Sequence, residues 1–254
     1  MSPNQKSSGF YINYWAGEKG GVGKSWCARL DAQRHVDRDI DFWLMDADRG
    51  NRSTLKFYPE FAFEQEVFFT EVPELRSKAN PFFEAALERP VVANCQAGKG
   101  REFWDWLREK NVIQSSREYS VQLRYFFVSD LGRDSINSFA KVARAFAPMM
   151  SLVFVANRGC NFMGMQFFEA PEFQAVLEEY KIPVVNLPQF DLNWRRFVEG
   201  DNPDGRLVNW GEARQVEEFG VLGRAEIQTY LENFYGQVDD AERLADLEFS
   251  KRIL

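Results

Sequence analysis

The segment Gly17-Glu18-Lys19-Gly20-Gly21-Val22-Gly23-Lys24-Ser25 constrains this chain more than any other. An apolar run, Phe10 to Trp15, leads into it. A helical pattern leaves it near Lys24 and runs to about Asp37 through Cys27, Leu30, Ala32 and Val36. Glycines let successive backbone N–H groups point inward with no Cβ in the way, which makes a nest for an anion. A helix N-terminus adds partial positive charge at the same place. The spacing is G-x-x-x-x-x-G-K-[ST], one residue longer than the strict form, which is met if Glu18 is skipped. In such a loop Lys24 is expected to reach the β/γ-phosphates of a nucleotide and the Ser25 hydroxyl to take a magnesium coordination position.

The rest of the chain suits one large α/β domain. It has 254 residues and a hydrophobic share of 45%, enough to fill a sizeable core. A net charge of -7 argues against a generally basic nucleic-acid binder, so DNA contact is possible but not indicated. Cys27, Cys95 and Cys160 are far apart and form no CxxC pair, and the first ten residues carry no apolar leader, so a cytoplasmic setting is expected. No apolar run is long enough to cross a bilayer.

Apolar runs bounded by turn residues alternate with helix-period segments, the pattern of βαβ units and a mainly parallel twisted sheet flanked by helices. Strands are expected at Asp41 to Asp46, Pro90 to Cys95, Val121 to Val128, Ser151 to Ala156 and Ile182 to Asn186. Helices are expected from Pro81 through Leu87, at Glu102 to Lys110, at Ser135 to Ala147 and at Pro171 to Tyr180. Residues 1–254 read as a single domain, with an aromatic insert of uncertain structure at 52–89 and a helical region at 210–254. The aromatics between Phe57 and Trp106 read as core more readily than as a partner surface.

Lys19-Gly20-Gly21-Val22-Gly23-Lys24-Ser25 resembles the loop of the ParA/MinD family of deviant-Walker P-loop ATPases. Lys19 stands where that family carries its signature lysine. The resemblance implies ATP and magnesium as ligands, bound along Gly20, Gly21, Val22, Gly23, Lys24, Ser25 and the following residue. It also implies an ATP-sandwich homodimer in which Lys19 of one subunit reaches the phosphates held by the other. Trp26 departs from the small hydroxyl residue common at that following position.

Asp46-Ala47-Asp48-Arg49-Gly50-Asn51 resembles the family's D-x-D-P-Q-G-N segment, with Arg49 in place of Pro. Asp48 is read as the water-positioning residue and Asp46 as its support near the metal. Two positions compete for the Walker B carboxylate. Asn94, in Asn94-Cys95-Gln96-Ala97-Gly98, fits the D-x-x-x-G pattern with an amide in place of the acid and is the preferred reading; Asp130 is its rival. With Asn94 in that position an amide replaces a charged acceptor for metal-bound water, and slow hydrolysis is expected. Asn157 resembles the family's adenine-binding asparagine, and Asn186-Leu187-Pro188-Gln189-Phe190 its base-packing loop.

The reading that results is an ATP-hydrolysing dimerisation switch, stimulated by a protein activator or cargo adaptor, that positions or transfers a macromolecular cargo. Plasmid or chromosome partition, conjugative mobilisation of a TraL-like type and placement of a cell machine are the analogies. The alternatives are a dimeric adaptor that binds ATP but scarcely hydrolyses it, and a metabolic kinase on the same fold. His35, the one histidine, suits packing better than catalysis, and Cys95 with Cys160 matches no iron–sulfur motif. An apolar stripe of Leu244, Leu247, Phe249, Ile253 and Leu254 suits core packing or a dimer contact.

Overall fold

The computed structural model describes residues 10–48, 50, 52–160, 164–200 and 206–253. Arg49, Asn51 and Leu254 lie outside them. The strands are β1 (Tyr11–Ala16), β2 (Trp43–Asp46), β3 (Val91–Asn94), β4 (Gln122–Ser129), β5 (Ser151–Asn157) and β6 (Val184–Leu187). They form a six-stranded sheet in the order β2-β3-β1-β4-β5-β6, with every pairing parallel. The helices are α1 (Lys24–Val36), α2 (Pro81–Glu84), α3 (Gly100–Glu109), α4 (Val112–Glu118), α5 (Arg133–Phe146), α6 (Met165–Phe168), α7 (Pro171–Glu179), α8 (Leu192–Glu199), α9 (Trp210–Ala213) and α10 (Gly220–Ile253). No helix among the described residues is long and apolar enough to cross a membrane.

Strand alternation divides the core between two layers. Ile12, Tyr14 and Ala16 of β1, with Leu123, Tyr125 and Phe127 of β4, face a cluster that includes Phe103, Phe139 and Phe173 from α3, α5 and α7. Trp15, Phe126 and Val128 point the other way, into a cluster with Leu30 of α1 and Ile227, Leu231 and Phe234 of α10. A sheet buried on both faces needs apolar residues at nearly every position, which is why β4 and β5 read as continuous apolar runs.

The 52–89 stretch is a chain of short 3₁₀ turns, Thr54–Lys56, Pro59–Phe61, Pro73–Ala79 and Ala85–Leu87, with α2 between the last two. It covers the outer edge of the sheet: Ala62 bridges Leu44 of β2, and Phe63 N–H donates to Leu44 O at 2.9 Å. Phe57, Tyr58, Phe69 and Phe82 are buried from this stretch, so its aromatics serve the core while it closes an edge that would otherwise invite pairing.

The 34-residue α10 rides across α1 and the right half of the sheet. Its Glu242 and Asp246 meet a buried polar cluster of Asn13, Asp31, Arg34 and Arg124. His35 belongs to this cluster, bonded to the Tyr11 hydroxyl and the Asp31 carbonyl, which agrees with a packing role. The C-terminal stripe is mixed: Phe249 is buried, while Leu244 and Leu247 are exposed.

Candidate functional site

The chain turns away to opposite sides after β1 and after β4, and in open parallel sheets the crevice at such a reversal holds ligands. The glycine loop stands there, between Ala16 of β1 and Lys24 at the start of α1. Gly23 has φ 102°, a left-handed conformation that a side chain would strain, and a Cβ on it would meet Asn157 Nδ2 at 2.5 Å. Lys24 is buried and its ammonium donates to Lys19 O at 2.7 Å, folded back over the loop it would share with phosphates. Burial lowers its pKa, an effect that Cys95, Asp48 and Glu18 oppose. Gly20, Gly21, Gly23, Lys24 and Ser25 line a cleft of about 370 Å³, with Val22 buried beneath them.

Glu18, the residue that breaks the strict spacing, rests its carboxylate on Gly100 at the start of α3, where a Cβ would lie 2.4 Å from Oε1. Burial raises its pKa, countered by Lys24. The loop is thus seated against the helix that follows Asn94-Cys95-Gln96-Ala97-Gly98.

Asp46 and Asn94 end adjacent strands and pair in register. Asn94 Nδ2 donates to Asp46 Oδ1 at 3.0 Å, and the backbone N–H groups of Asp48 and Thr54 reach Oδ1 and Oδ2 at 3.1 Å each. Burial nevertheless pushes the Asp46 carboxyl up to about 6. Both of its oxygens are engaged, which suits support of the loop better than direct ligation of a cation. Asn94 Oδ1, by contrast, is buried with no hydrogen-bond partner, and an orphaned acceptor of this kind costs about 1–3 kcal/mol. A cation-bound water would satisfy it.

No group of three or more His, Cys, Asp and Glu among the described residues is placed to hold a metal. Ser25 and Asp48 both line the cleft.

Asp130, the rival of Asn94, lies at the end of β4 on the far side of β1 from Asp46. Its carboxylate accepts from Gly132 N–H and sits 3.5 Å from Lys19 Nζ; Asp134 lies 3.6 Å from the same ammonium. Lys19 therefore points away from the loop's interior, held by two carboxylates of its own subunit.

Asn157 ends β5 against the loop. Its Nδ2 donates to Val22 O at 2.8 Å and approaches Cys160 Sγ at 3.0 Å, while its Oδ1 accepts from Gly159 N–H at 3.0 Å. The side chain clamps the glycine loop, with both ends of its amide occupied. Pro188 and Gln189 line the same cleft.

Phe190, from the loop expected to pack on a base, and Cys95 also line it; sequence patterns did not bring Arg29, Arg195, Glu199 or Tyr230 here, although all four do so. Arg29 had a local signal, being one helical turn beyond Ser25 on the same face of α1. Tyr230 had none, since it arrives from α10, 205 positions after Ser25 (230 minus 25). Cys95 is buried beneath the Tyr14 hydroxyl, which donates to its Sγ at 2.7 Å, while Cys160 is exposed.

No family model matches the chain, and no curated protein matches it. Among solved structures it is similar to the cell-division ATPase MinD of Pyrococcus furiosus, at 14% identity over 91% of this chain and 99% of that one, with a TM-score of 0.49. It is also similar to a nucleotide-binding protein of Archaeoglobus fulgidus solved in complex with ADP, at 16% identity over 78% of this chain and 90% of that one, with a TM-score of 0.43.

Proposed function

We propose that this chain binds Mg·ATP in the cleft beside β1 and acts as a slow ATPase whose bound nucleotide closes a homodimer. The observation that carries this reading is the loop itself: a left-handed Gly23 opens α1 toward the cleft, and the Lys24 ammonium lies folded on Lys19 O. A helix N-terminus, a glycine nest and a buried ammonium converge where a triphosphate would sit. The phosphates would draw Lys24 off its backbone partner. Ser25, at the helix start, would hold magnesium through its hydroxyl, and the metal would supply positive charge to offset that of the phosphates.

Asp48 would orient the attacking water, supported by Asp46. Lys19 would leave Asp130 and Asp134 to reach the partner's nucleotide, so that dimerisation depends on the γ-phosphate. Such a cycle suits the positioning or transfer of a cargo, with an activating protein setting the turnover. Whether an enzyme or an adaptor results depends on Asn94. Its amide in a carboxylate's place favours the second reading, a dimeric adaptor with very little hydrolysis.

Calorimetric titration with Mg·ATP, light scattering and single-turnover hydrolysis test both readings together. Binding that Lys24→Ala weakens, with a nucleotide-dependent doubling of mass that Lys19→Ala abolishes, is the expected result. Wild-type binding that survives Lys24→Ala, or a mass unaffected by ATP, would overturn the switch. Single-turnover rates then separate ATPase from adaptor.

A further inference from the structure

The cleft is lined by two kinds of residue. Beside the glycines, Lys24 and Ser25 of the loop stand Trp26, Phe190 and Tyr230, which pack on one another. Trp26 is half-buried on the first turn of α1, where its indole Nε1 donates to the Tyr230 hydroxyl at 3.0 Å. Phe190 packs on it with ring centroids 5.6 Å apart, and Trp210 braces it edge-on at 4.8 Å. The guanidinium carbons of Arg29 and Arg195 lie 5.6 and 5.9 Å from the indole centroid. Arg29 is 94% buried (6% exposed), and its guanidinium donates to the Val198 carbonyl. Arg195 is paired with Glu199 at 2.9 Å, so the net charge beside the ring is that of the buried Arg29. An indole fixed at its N–H, braced edge-on and set beside a buried guanidinium is a rigid π surface.

A nucleotide has the matching polarity, phosphates at one end and a flat aromatic base at the other. The loop fixes where the phosphates lie, so the base is placed toward the aromatic side chains. Asn157 lines the cleft but has little left to read a base with: its Nδ2 hydrogens go to Val22 O and Cys160 Sγ, and one of the two lone pairs of its Oδ1 is taken by Gly159 N–H.

Resting on the nucleotide-binding reading, we propose that Trp26 is the platform on which the base of a bound nucleoside triphosphate stacks, and that Tyr230 of α10 holds the indole at the angle this requires. The large residue at this position then has a purpose: it replaces polar recognition of the base edge by contact with the base face. Stacking uses a surface every base possesses, so the site distinguishes a nucleotide from a bare polyphosphate more sharply than adenine from guanine.

The experiment compares Mg·ATP, Mg·GTP and magnesium tripolyphosphate, which has the phosphates and no base, by calorimetry on the full chain. Trp26→Ala is expected to weaken ATP and GTP binding by about tenfold or more and to leave tripolyphosphate within about twofold. Trp26→Phe, which keeps a ring, is expected to retain most of the affinity, and Tyr230→Phe to lose a smaller part than Trp26→Ala. Equal losses for ATP and tripolyphosphate in Trp26→Ala and Trp26→Phe would make the residue a structural one and overturn the proposal alone. So would ATP binding that is indifferent to both substitutions. Failure of wild-type protein to bind either ATP or tripolyphosphate would overturn the nucleotide reading and this proposal with it.

Discussion

Asn94 donates its Nδ2–H to Asp46 Oδ1 at 3.0 Å across neighbouring strands, while its own Oδ1 is buried without a hydrogen-bond partner. The amide is therefore matched to its neighbour in a way an acid would not be. Asn94→Asp would set two carboxylates at hydrogen-bond distance in a buried place, where like charges force one of them to keep its proton. A carboxyl pKa raised in the folded state favours folding at low pH and loses that advantage as pH rises from about 4 through the raised value. The variant without nucleotide is expected to be less stable at pH 8 than at pH 5, by roughly 2 kcal/mol relative to wild type, in urea titrations. With Mg·ATP bound, turnover is expected to rise, because a charged acceptor then faces metal-bound water. Unchanged turnover and unchanged pH dependence would remove Asn94 from the metal's surroundings.

Lys24 and Lys19 differ in what their removal should do. Lys24→Ala deletes a charge-assisted contact to phosphate, worth about 1.5–3 kcal/mol, or roughly 10- to 150-fold in affinity. Lys19→Ala is expected to bind Mg·ATP within about threefold of wild type, since its ammonium lies on Asp130 and Asp134 and outside the loop. It should nonetheless fail to dimerise in light scattering. A variant that dimerised normally would refute the signature-lysine role.

Asn157 clamps the loop through Val22 O, so its loss should be felt by every ligand the loop holds. Asn157→Ala is expected to weaken ATP and tripolyphosphate by similar factors in calorimetry. Selective loss of ATP alone would mean that the side chain turns to the base instead. Gly23→Ala places a Cβ 2.5 Å from Asn157 Nδ2 at a φ of 102° and is expected to lose both ligands. Its stability should fall by about 1–3 kcal/mol.

Asp31 governs the acid limit of the fold. The carboxylate is fully buried, with Asn13 Nδ2 and Trp15 Nε1 on one oxygen and Arg34 Nε 3.0 Å from the other. Burial alone would raise its pKa, but Arg34 and the surrounding donors outweigh that and hold it well below the usual carboxylate range. A depressed folded pKa contributes stability above about pH 4, and that contribution is lost as pH falls below it. Asp31→Asn is expected to flatten the fall of the urea midpoint between pH 5 and 2. Asp31→Ala is expected to lose about 3–5 kcal/mol at pH 7 by leaving buried donors unmatched. An acid limb of the same slope in wild type and Asp31→Asn would contradict this assignment.

Much of the architecture was legible in the chain alone. Parallel strands buried on both faces must be apolar at almost every position, so β3 to β5 stood out as runs, and glycine with Lys24-Ser25 marked the start of α1. Asp46, Asn94 and Asn157 were legible for a related reason: each closes a strand, and strand ends at a parallel sheet's carboxyl edge share one place. Short-range pattern could not show what each of these side chains touches. It brought Asn157 to the cleft, but only the folded chain shows its Nδ2 donating to Val22 O. Nor could it join residues far apart in sequence, such as Trp26 with Tyr230 or Leu44 with Ala62, because no local period encodes a contact made only when α10 or the aromatic insert packs down.

The glycine loop and the alternation of apolar runs thus determined a parallel α/β sheet with a glycine loop opening a helix at its edge, since both follow from backbone geometry and periodicity. Tertiary packing decided which polar atoms are spent on structure and which face the cleft. It occupied Asp46 and Asn157, orphaned Asn94 Oδ1, turned Lys19 toward Asp130, and assembled an aromatic wall from α1, the loop after β6 and α10.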